Sequence, residues 1–259
     1  MKLKFYKYQG TGNDFILLDD RFNKIELSKK IIAQLCNRNF GIGADGLILL
    51  RKKTGYDFEM IYYNSDGKKS SMCGNGGRCI VSFSKYLGLS KKTEVLFWAA
   101  DGPHQASLEN KQVRLKMNDV NEIEENKNFS FLNTGSPHYV SFVKDVNSLN
   151  VFEEGRKIRY NERFKKEGTN VNFVEVKGKD SLLVRTYERG VENETLSCGT
   201  GVTASALAYA ELVKKKKGTI NVSTPGGKLK VAFQKNGSSY TQIYLEGPAE
   251  QTYTGEIII

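Results

Sequence analysis

The sequence predicts an α/β protein made of two similar domains, each with a sheet wrapped around one buried helix. Two observations predict this fold: a strand–turn–Cys-Gly-x-Gly–helix segment occurs twice, and three short strand patterns follow each copy. The cysteines of the repeated segment, Cys73 and Cys198, lie 125 residues apart in a chain of 259 residues. A spacing close to half the chain length indicates an internal duplication.

The two copies agree from the first strand to the helix. Around Cys73 the chain reads FEMIYYNSDGKKSSMCGNGGRCIVSFSKYLG, and around Cys198 it reads SLLVRTYERGVENETLSCGTGVTASALAYAELV. In each copy an apolar strand pattern ends in tyrosine, and the cysteine follows 10 residues after Tyr63 or 11 residues after Tyr187. An apolar helical segment comes next, so strands and helices alternate as in an α/β fold.

The helix predicted in each copy carries apolar residues on more than one face. The segment VTASALAYAELV, after Gly201, is apolar nearly all round, which is typical of a fully buried helix. In the first copy Cys79 and Phe83 share a face at i and i+4, and Gly88 is placed to end the helix. We interpret Cys79 and Cys36 as core residues, because buried reduced cysteine behaves as a small hydrophobe.

Three strand patterns follow each of these helices. They are Val95–Ala99, Gln105–Glu109 and Gln112–Met117 in the first copy, and Thr219–Ser223, Leu229–Gln234 and Thr241–Glu246 in the second. A last strand pattern, Thr252–Ile259, is expected to return to the first domain, and the polar segment 118–128 is expected to separate the domains. The predicted domains are residues 1–119, joined by the strand 250–259, and residues 120–249.

Charge and composition argue against several classes of function. Lys and Arg total 39 against 29 Asp and Glu, a net charge of +10 that is scattered along the chain. The densest run, Lys214–Lys217, is interpreted as the solvated end of the second helix. No basic stripe interleaved with aromatic residues indicates nucleic-acid binding. With two histidines and no C-x-x-C, the chain is not expected to hold zinc.

The sequence also predicts a cytoplasmic protein that does not enter a membrane. Lys2, Lys4 and Lys7 interrupt any apolar core of a secretory signal. No apolar run approaches the roughly 18 residues that a membrane span needs. The four cysteines lack the spacing of a disulfide scaffold, so we expect reduced thiols.

Cys73 and Cys198 are the strongest candidates for chemistry. A cysteine just before a helix faces unpaired backbone N–H groups and the positive end of the helix dipole, which should lower the thiol pKa below about 8.5. The same N–H groups, next to glycines, can bind a carboxylate. Two such turns in duplicated domains indicate a symmetric reaction, the inversion of an amino-acid α-carbon. One thiolate removes the α-proton, the other thiol supplies a proton to the opposite face, and no cofactor is required.

Three other interpretations use parts of the same pattern. The Gly41–Gly46 segment matches G-x-G-x-x-G, but it follows a helix pattern that starts at Ser28 and precedes a strand pattern, the reverse of a dinucleotide site. A thiol peroxidase or disulfide exchanger could use Cys73 and Cys198 as its pair, although duplicated anion sites are superfluous for it. An anion-binding or nucleic-acid-binding module without catalysis would leave the repeated cysteines unexplained.

The chain resembles the diaminopimelate epimerases over essentially its whole length. The motifs that carry the resemblance are GTGNDF at 10–15, NRNFGIGADG at 37–46, YNSDG at 63–67, MCGNGGRC at 72–79, GSPHYV at 135–140, GTNVNFVEV at 168–176 and ERGVENETLSCGTG at 188–201. The wider superfamily includes proline racemases and hydroxyproline epimerases, which typically have histidine after the first Cys-Gly. The asparagine at that position here, Asn75, favours diaminopimelate; a proline or hydroxyproline racemase is the alternative.

The resemblance implies two pseudo-symmetric domains, each a curled sheet around a central helix, and interconversion of LL- and meso-diaminopimelate for lysine and peptidoglycan synthesis. It implies Cys73 and Cys198 as the acid/base pair, no pyridoxal phosphate or metal, and a possible homodimer. The implied substrate-binding residues are Asn13, Asn64, Gly74, Asn75, Ser136, Asn170, Glu188, Arg189, Gly199 and Thr200. Within this set, Gly74, Asn75, Gly199 and Thr200 would hold the reacting carboxylate. His138 and Glu188 are expected to tune the two thiols.

Two positions depart from the family pattern. Ser136 stands where the family often has asparagine, so a contact to the distal carboxylate is expected to be lost or mediated by water. Gly46 stands where some members have glutamine, and glycine cannot supply that side chain. Gly46 is therefore not predicted as a site residue.

Overall fold

The computed structural model describes residues 2–89 and 92–259. It divides into two compact units, an N-terminal unit of Met1–Leu115 with Gly247–Ile259 and a C-terminal unit of Lys116–Glu246. The predicted ranges, 1–119 with 250–259 and 120–249, differ from these by a few residues. Four helices and eighteen strands lie in the described residues.

The N-terminal unit contains nine strands and two helices within the described residues. The strands are β1 Lys2–Gly10, β2 Asn13–Asp19, β3 Gly46–Arg51, β4 Phe58–Asn64, β5 Lys69–Ser70, β6 Glu94–Ala99, β7 Gly102–Glu109, β8 Gln112–Lys116 and β18 Glu250–Ile258; the helices are α1 Lys29–Cys36 and α2 Gly74–Tyr86. The strand order is β18-β1-β2-β3-β4-β6-β7-β8, with the short β5 paired to β4. The pairs β2–β3 and β4–β6 are parallel, and the others are antiparallel.

The C-terminal unit has the same number of strands and helices in its described residues. The strands are β9 Glu124–Glu125, β10 Ser130–Asn133, β11 Pro137–Phe142, β12 Asn170–Gly178, β13 Ser181–Glu188, β14 Asn193–Thr195, β15 Lys217–Thr224, β16 Gly227–Asn236 and β17 Ser239–Pro248; the helices are α3 Val151–Arg159 and α4 Gly199–Leu212. The strand order is β9-β10-β11-β12-β13-β15-β16-β17, with the short β14 paired to β13.

The two units repeat one topology. The parallel pairs β11–β12 and β13–β15 correspond to β2–β3 and β4–β6, and each parallel connection contains one helix. The predicted fold class, two duplicated α/β domains, is confirmed. The seven predicted strand patterns are all strands, and the last of them, β18, pairs with β1 as expected. Most are longer than predicted, because hairpin pairing continues into the turns.

The second helix of each unit is its buried element. Nearly every residue of α4 from Gly199 to Ala210 is buried, as the uniform apolar composition predicts. In α2 the Phe83 side chain is fully buried between the rings of Tyr6 and Tyr8, at centroid distances of 4.8 and 5.7 Å. Burying one such aromatic side chain stabilises the fold by about 1.5–3 kcal/mol. These contacts fix the helix whose first turn carries Cys73.

Cys36 and Cys79 are core residues, as predicted. They are 3% and 0% exposed. Burial raises the pKa of the Cys36 thiol to about 12 and also raises the pKa of Cys79. Both therefore stay protonated and unreactive at neutral pH.

Both buried helices end in the same hydrogen-bond motif. After α2, Gly88 adopts a left-handed backbone (φ 70°), as its predicted role as a helix stop requires. After α4 the equivalent position is Lys214 (φ 54°), whose N–H donates to the Glu211 carbonyl at 3.0 Å, while the Lys215 N–H donates to the Ala210 carbonyl at 2.8 Å. The lysine run thus begins in the cap that ends α4, where its interpretation as the solvated helix end placed it. The last turn of α4 contains no basic residue, and the run forms the cap and the start of β15.

Lys214→Gly is expected to stabilise the protein by about 0.5–1 kcal/mol, because a left-handed backbone strains any side chain with a Cβ. The free energy of unfolding in urea is the measurement. Lys216→Gly is the matched control, because it removes the same charge at a residue whose backbone is not left-handed. It is expected to lose stability; equal changes in the two variants would contradict the assignment of strain to Lys214.

The described residues, 2–89 and 92–259, include no helix that is long and apolar enough to cross a lipid bilayer.

Candidate active site

Cys73 lies at the N-cap of α2, with an extended backbone (φ −101°). Its carbonyl accepts the Gly77 N–H at 2.6 Å, which forms the first turn of the helix. The Cys73 Sγ lies 3.7 Å from Asn13 Oδ1 and donates to it. The Asn75 Nδ2 group donates to the same oxygen at 3.3 Å. Three predicted site residues, Asn13, Cys73 and Asn75, therefore meet at the first turn of α2.

Asp45 orients the Asn13 amide, and the sequence reasoning did not identify it. The turn between β1 and β2, with Thr11 at φ 55° and Gly12 at φ 85°, places Asn13 at the start of β2. The Asn13 Nδ2 donates to Asp45 Oδ2 at 2.6 Å. Because a carboxylate can only accept, the amide oxygen of Asn13 must face Cys73.

An ion-pair network holds Asp45 and the residue after Asn13, Asp14, in place. Asp14 Oδ2 lies 2.6 Å from Lys7 Nζ, and Arg38 Nη2 contacts both Asp14 Oδ1 (2.7 Å) and Asp45 Oδ1 (2.8 Å). Burial alone would raise the pKa of Asp14, but hydrogen bonds from Arg38 and Lys7 outweigh burial and lower it to about 2. Asp14 is thus ionised at neutral pH. A cavity of about 360 Å³ beside this network has none of the predicted site residues in its lining.

Asn64 ends β4 and is exposed, opposite Gly46 of β3. A Cβ built on Gly46 would lie 2.5 Å from the Tyr62 ring and 2.6 Å from the Tyr63 carbonyl oxygen. Any side chain there would have to displace the neighbouring strand, so the glycine is required by packing. Gly46 therefore supplies only backbone atoms next to Asn64.

Cys198 repeats the position of Cys73 in the C-terminal unit. It is the N-cap of α4 (φ −116°), and its carbonyl accepts the Val202 N–H at 2.8 Å. The residue is 6% exposed, and its Sγ lies 3.4 Å from Thr200 Oγ1. The prediction that both cysteines begin a buried helix is therefore confirmed.

A cluster of polar side chains lies next to Thr200. Ser136 Oγ is 3.2 Å from Thr200 Oγ1, 3.0 Å from His138 Nε2 and 3.2 Å from Asn170 Nδ2. The parallel pairing of β11 with β12 places His138 opposite Asn170. This register explains how two motifs that lie 32 residues apart in the sequence supply one cluster.

His138 is fully buried. Burial, together with the nearby Arg189 cation, lowers its pKa to about 3, although a hydrogen bond from Asn172 acts in the opposite direction. The imidazole is therefore neutral at physiological pH. Its Nδ1 lies 3.1 Å from Asn172 Nδ2. The sequence reasoning missed Asn172, although the spacing Asn170-x-Asn172 in the buried first half of β12 places both amides on one face.

Glu188 and Arg189 lie where β13 ends. Glu188 Oε2 accepts from Thr195 Oγ1 at 2.9 Å. The Arg189 backbone N–H donates to Asn170 Oδ1 at 2.9 Å, and its guanidinium, which is exposed, donates to the Glu167 carbonyl at 2.9 Å. Asn170 therefore connects Arg189 to the Ser136 cluster.

Hydrogen bonds thus join most of the predicted residues into one cluster in each unit. In the N-terminal unit, hydrogen bonds join Asn13 to Cys73 and Asn75. Gly74 lies between Cys73 and Asn75 in the chain, and Asn64 lies at the end of β4, the strand paired with β3. The cluster of the C-terminal unit contains Ser136, His138, Asn170, Arg189, Cys198, Gly199 and Thr200, with Glu188 adjacent in the chain.

The sequence pattern of the family described as diaminopimelate epimerase matches residues 5–123 and 130–252. The chain belongs to the diaminopimelate epimerase family. A relative from Flavobacterium psychrophilum named diaminopimelate epimerase is 49% identical over 250 residues, which cover 96% of this chain and 97% of the relative. A second, from Chlorobaculum tepidum and of the same name, is 40% identical over 96% of this chain and 99% of its own. Enzymes with this name are isomerases, and the chain is an enzyme of this family.

Two solved structures share the fold of this diaminopimelate epimerase family chain. A hydroxyproline epimerase from Agrobacterium vitis, with bound trans-4-hydroxy-L-proline, matches with a TM-score of 0.72 at 14% identity over 99% of this chain and 92% of its own. A phenazine biosynthesis protein of the PhzF family from Bacillus anthracis matches with a TM-score of 0.80 at 12% identity over the full length of both chains. At these identities the likeness concerns the fold alone.

Proposed function

We propose that this enzyme interconverts LL- and meso-2,6-diaminopimelate without pyridoxal phosphate or a metal, using Cys73 and Cys198 as its acid/base pair. The observation that carries the proposal is that each duplicated unit places one cysteine at the N-cap of its buried helix, in a chain of the diaminopimelate epimerase family. The reaction would serve lysine and peptidoglycan synthesis in the cytoplasm. A homodimer is part of the same proposal, by resemblance to the family.

Inversion of the α-carbon needs one proton to leave and another to arrive. One cysteine, as thiolate, removes the α-proton and becomes a thiol, while the other thiol gives its proton to the opposite face and becomes a thiolate. Negative charge that develops on the α-carboxylate is stabilised by backbone N–H groups at the two helix starts, which lack partners inside the helix. Gly74, Asn75, Gly199 and Thr200 would supply these groups.

The rest of the substrate would be held by side chains around the two cysteines. Arg189 suits the distal carboxylate, because a guanidinium donates two parallel hydrogen bonds, and Glu188 suits an ammonium group. The amides of Asn13, Asn64 and Asn170 would complete the polar contacts. Ser136 belongs to this set on the resemblance. In the structure its hydroxyl is surrounded by protein partners.

The proposal is tested by assaying LL-diaminopimelate and L-proline side by side in deuterated water, without added cofactor. With diaminopimelate, we expect deuterium in the epimerised product and much less in recovered substrate early in the reaction. The delivering thiol exchanges with solvent, whereas the other thiol holds the proton that it has just removed. Label that enters substrate and product equally at early times would contradict the two-thiol scheme. Activity on proline alone would favour the proline racemase alternative.

A further inference from the structure

Five side chains of the C-terminal unit form a continuous hydrogen-bond chain. It runs from Asn172 through His138, Ser136 and Thr200 to the sulfur of Cys198, with donor–acceptor distances of 3.1, 3.0, 3.2 and 3.4 Å. Two of its links join hydroxyl or thiol groups that could donate in either direction. The chemistry of the fixed groups at the far end decides the direction.

The Asn172 amide can have only one orientation. Its Nδ2 lies 3.0 Å from the Tyr139 carbonyl oxygen, which can only accept, and its Oδ1 accepts from Thr186 Oγ1 at 3.0 Å. The same Nδ2 group therefore donates to His138 Nδ1. Since His138 is neutral, its proton must be on Nε2, and Nε2 donates to Ser136 Oγ.

The direction continues through Ser136. Its oxygen also accepts from Asn170 Nδ2, whose orientation is fixed because the same Nδ2 donates to the Pro137 carbonyl at 3.0 Å. A hydroxyl oxygen that accepts twice has one proton left to donate, and the remaining neighbour is Thr200 Oγ1 at 3.2 Å. The Thr200 proton is then directed to Cys198 Sγ.

We propose that Asn172, His138 and Ser136 are positioning residues that hold the Thr200 hydroxyl as a hydrogen-bond donor to Cys198. A donor directed at sulfur stabilises the thiolate, the form in which Cys198 removes a proton in one direction and the form it reaches after delivering one in the other. This inference rests on the proposed function, and it adds three side chains behind Thr200 that would act on Cys198 without contacting the substrate. It also assigns Ser136 to this chain rather than to the distal carboxylate, since the three bonds of its hydroxyl are used within the protein.

The tautomer of His138 is the first measurement, and it does not depend on activity. The sequence has two histidines, so ¹⁵N NMR of the histidine-labelled protein, compared with His104→Gln, assigns the His138 ring. We expect the neutral Nε2–H tautomer throughout the physiological pH range. The Nδ1–H tautomer would reverse the donor at Ser136 and overturn the proposal, whether or not the protein epimerises diaminopimelate.

Kinetics of Ser136→Ala provide the second measurement. We expect kcat to fall roughly tenfold, the size of one hydrogen bond to a charged group, with little change in KM. The loss in kcat/KM should be equal in both directions, because the equilibrium between the two stereoisomers fixes their ratio. In Thr200→Val, kcat should fall by as much as in Ser136→Ala. The double variant Ser136→Ala/Thr200→Val should have a kcat no lower than either single variant, because both substitutions remove the same effect on Cys198. Thr200→Ser keeps the hydroxyl and should retain most of the wild-type kcat.

Ser205→Ala is the matched control, because Ser205 is a buried serine of α4 whose hydroxyl donates to the Gly201 carbonyl outside the chain of five residues. It should keep both kinetic constants within about twofold. An equal loss in Ser205→Ala and Ser136→Ala would overturn the positioning role. A raised KM with unchanged kcat in Ser136→Ala would show that Ser136 binds the substrate and would overturn its role in positioning Thr200. Absence of epimerisation in the unmodified protein would refute the proposed function and not the His138 tautomer.

Discussion

Replacement of either Cys73 or Cys198 with alanine is expected to abolish epimerisation in both directions, with kcat falling on the order of a thousandfold or more. Inversion requires a proton acceptor on one face of the α-carbon and a proton donor on the other, so the loss of one thiol removes one of two obligatory steps. The remaining cysteine could still exchange the α-hydrogen with solvent on its own face. Slow deuterium uptake with retained configuration is therefore expected in the single variants and not in the double variant.

Cys36→Ala is the control for these substitutions. Cys36 is a buried thiol of α1 and is not part of either cluster, so its loss should lower stability and leave kcat unchanged. Circular dichroism and thermal unfolding would show that the active-site variants remain folded. Full epimerase activity in Cys73→Ala or Cys198→Ala would refute the acid/base assignment of that residue.

Replacement of Arg189 with alanine is expected to reduce kcat/KM for diaminopimelate by roughly a hundredfold. The guanidinium is exposed where β13 ends and donates to the Glu167 carbonyl, while the Arg189 backbone N–H is held by Asn170 Oδ1. The side chain can therefore exchange that carbonyl for a carboxylate without moving the strand. Its loss would leave the distal carboxylate of the substrate without a charged partner. The change should fall mainly on KM, because the distal carboxylate does not react.

Arg156→Ala is a suitable control for the charge. Arg156 is an exposed arginine on α3, in the same unit and outside the polar cluster. Steady-state kinetics at constant ionic strength should show unchanged kcat/KM in this variant. If Arg189→Ala has equally little effect, the assignment of Arg189 to the distal carboxylate is wrong and a smaller substrate is favoured.

Much of the fold could be predicted because its signals are local. Alternating apolar residues predict the strands, because successive side chains of a strand point to opposite faces of the sheet. The uniformly apolar segment after Gly201 predicts a helix that is buried on all sides. The start of each buried helix at Cys73 and Cys198 follows from the glycines and polar turns around them. The duplication then relates the two halves without any information on distant contacts.

Local patterns were less informative where the backbone departs from regular geometry. The cap of α4 is an example: lysines near a helix end indicate dipole pairing, but nothing local showed that Lys214 adopts the left-handed backbone that glycine provides after α2. The lengths of the hairpin strands were underestimated for a related reason. Pairing with a neighbouring strand extends a strand through residues that by themselves have only a weak preference for the β conformation.

The sequence by itself determined the α/β class, the duplication, the two cysteines at helix starts and the family to which the chain belongs. Only the tertiary structure decided which side chains support those cysteines: Asp45 behind Asn13, and Asn172, His138 and Ser136 behind Thr200. The physical reason is that the latter contacts depend on the register between the parallel strands β11 and β12, which are joined through α3. Strand register is set by long-range packing, and a shift of one residue would turn His138 and Asn172 to the other face of the sheet.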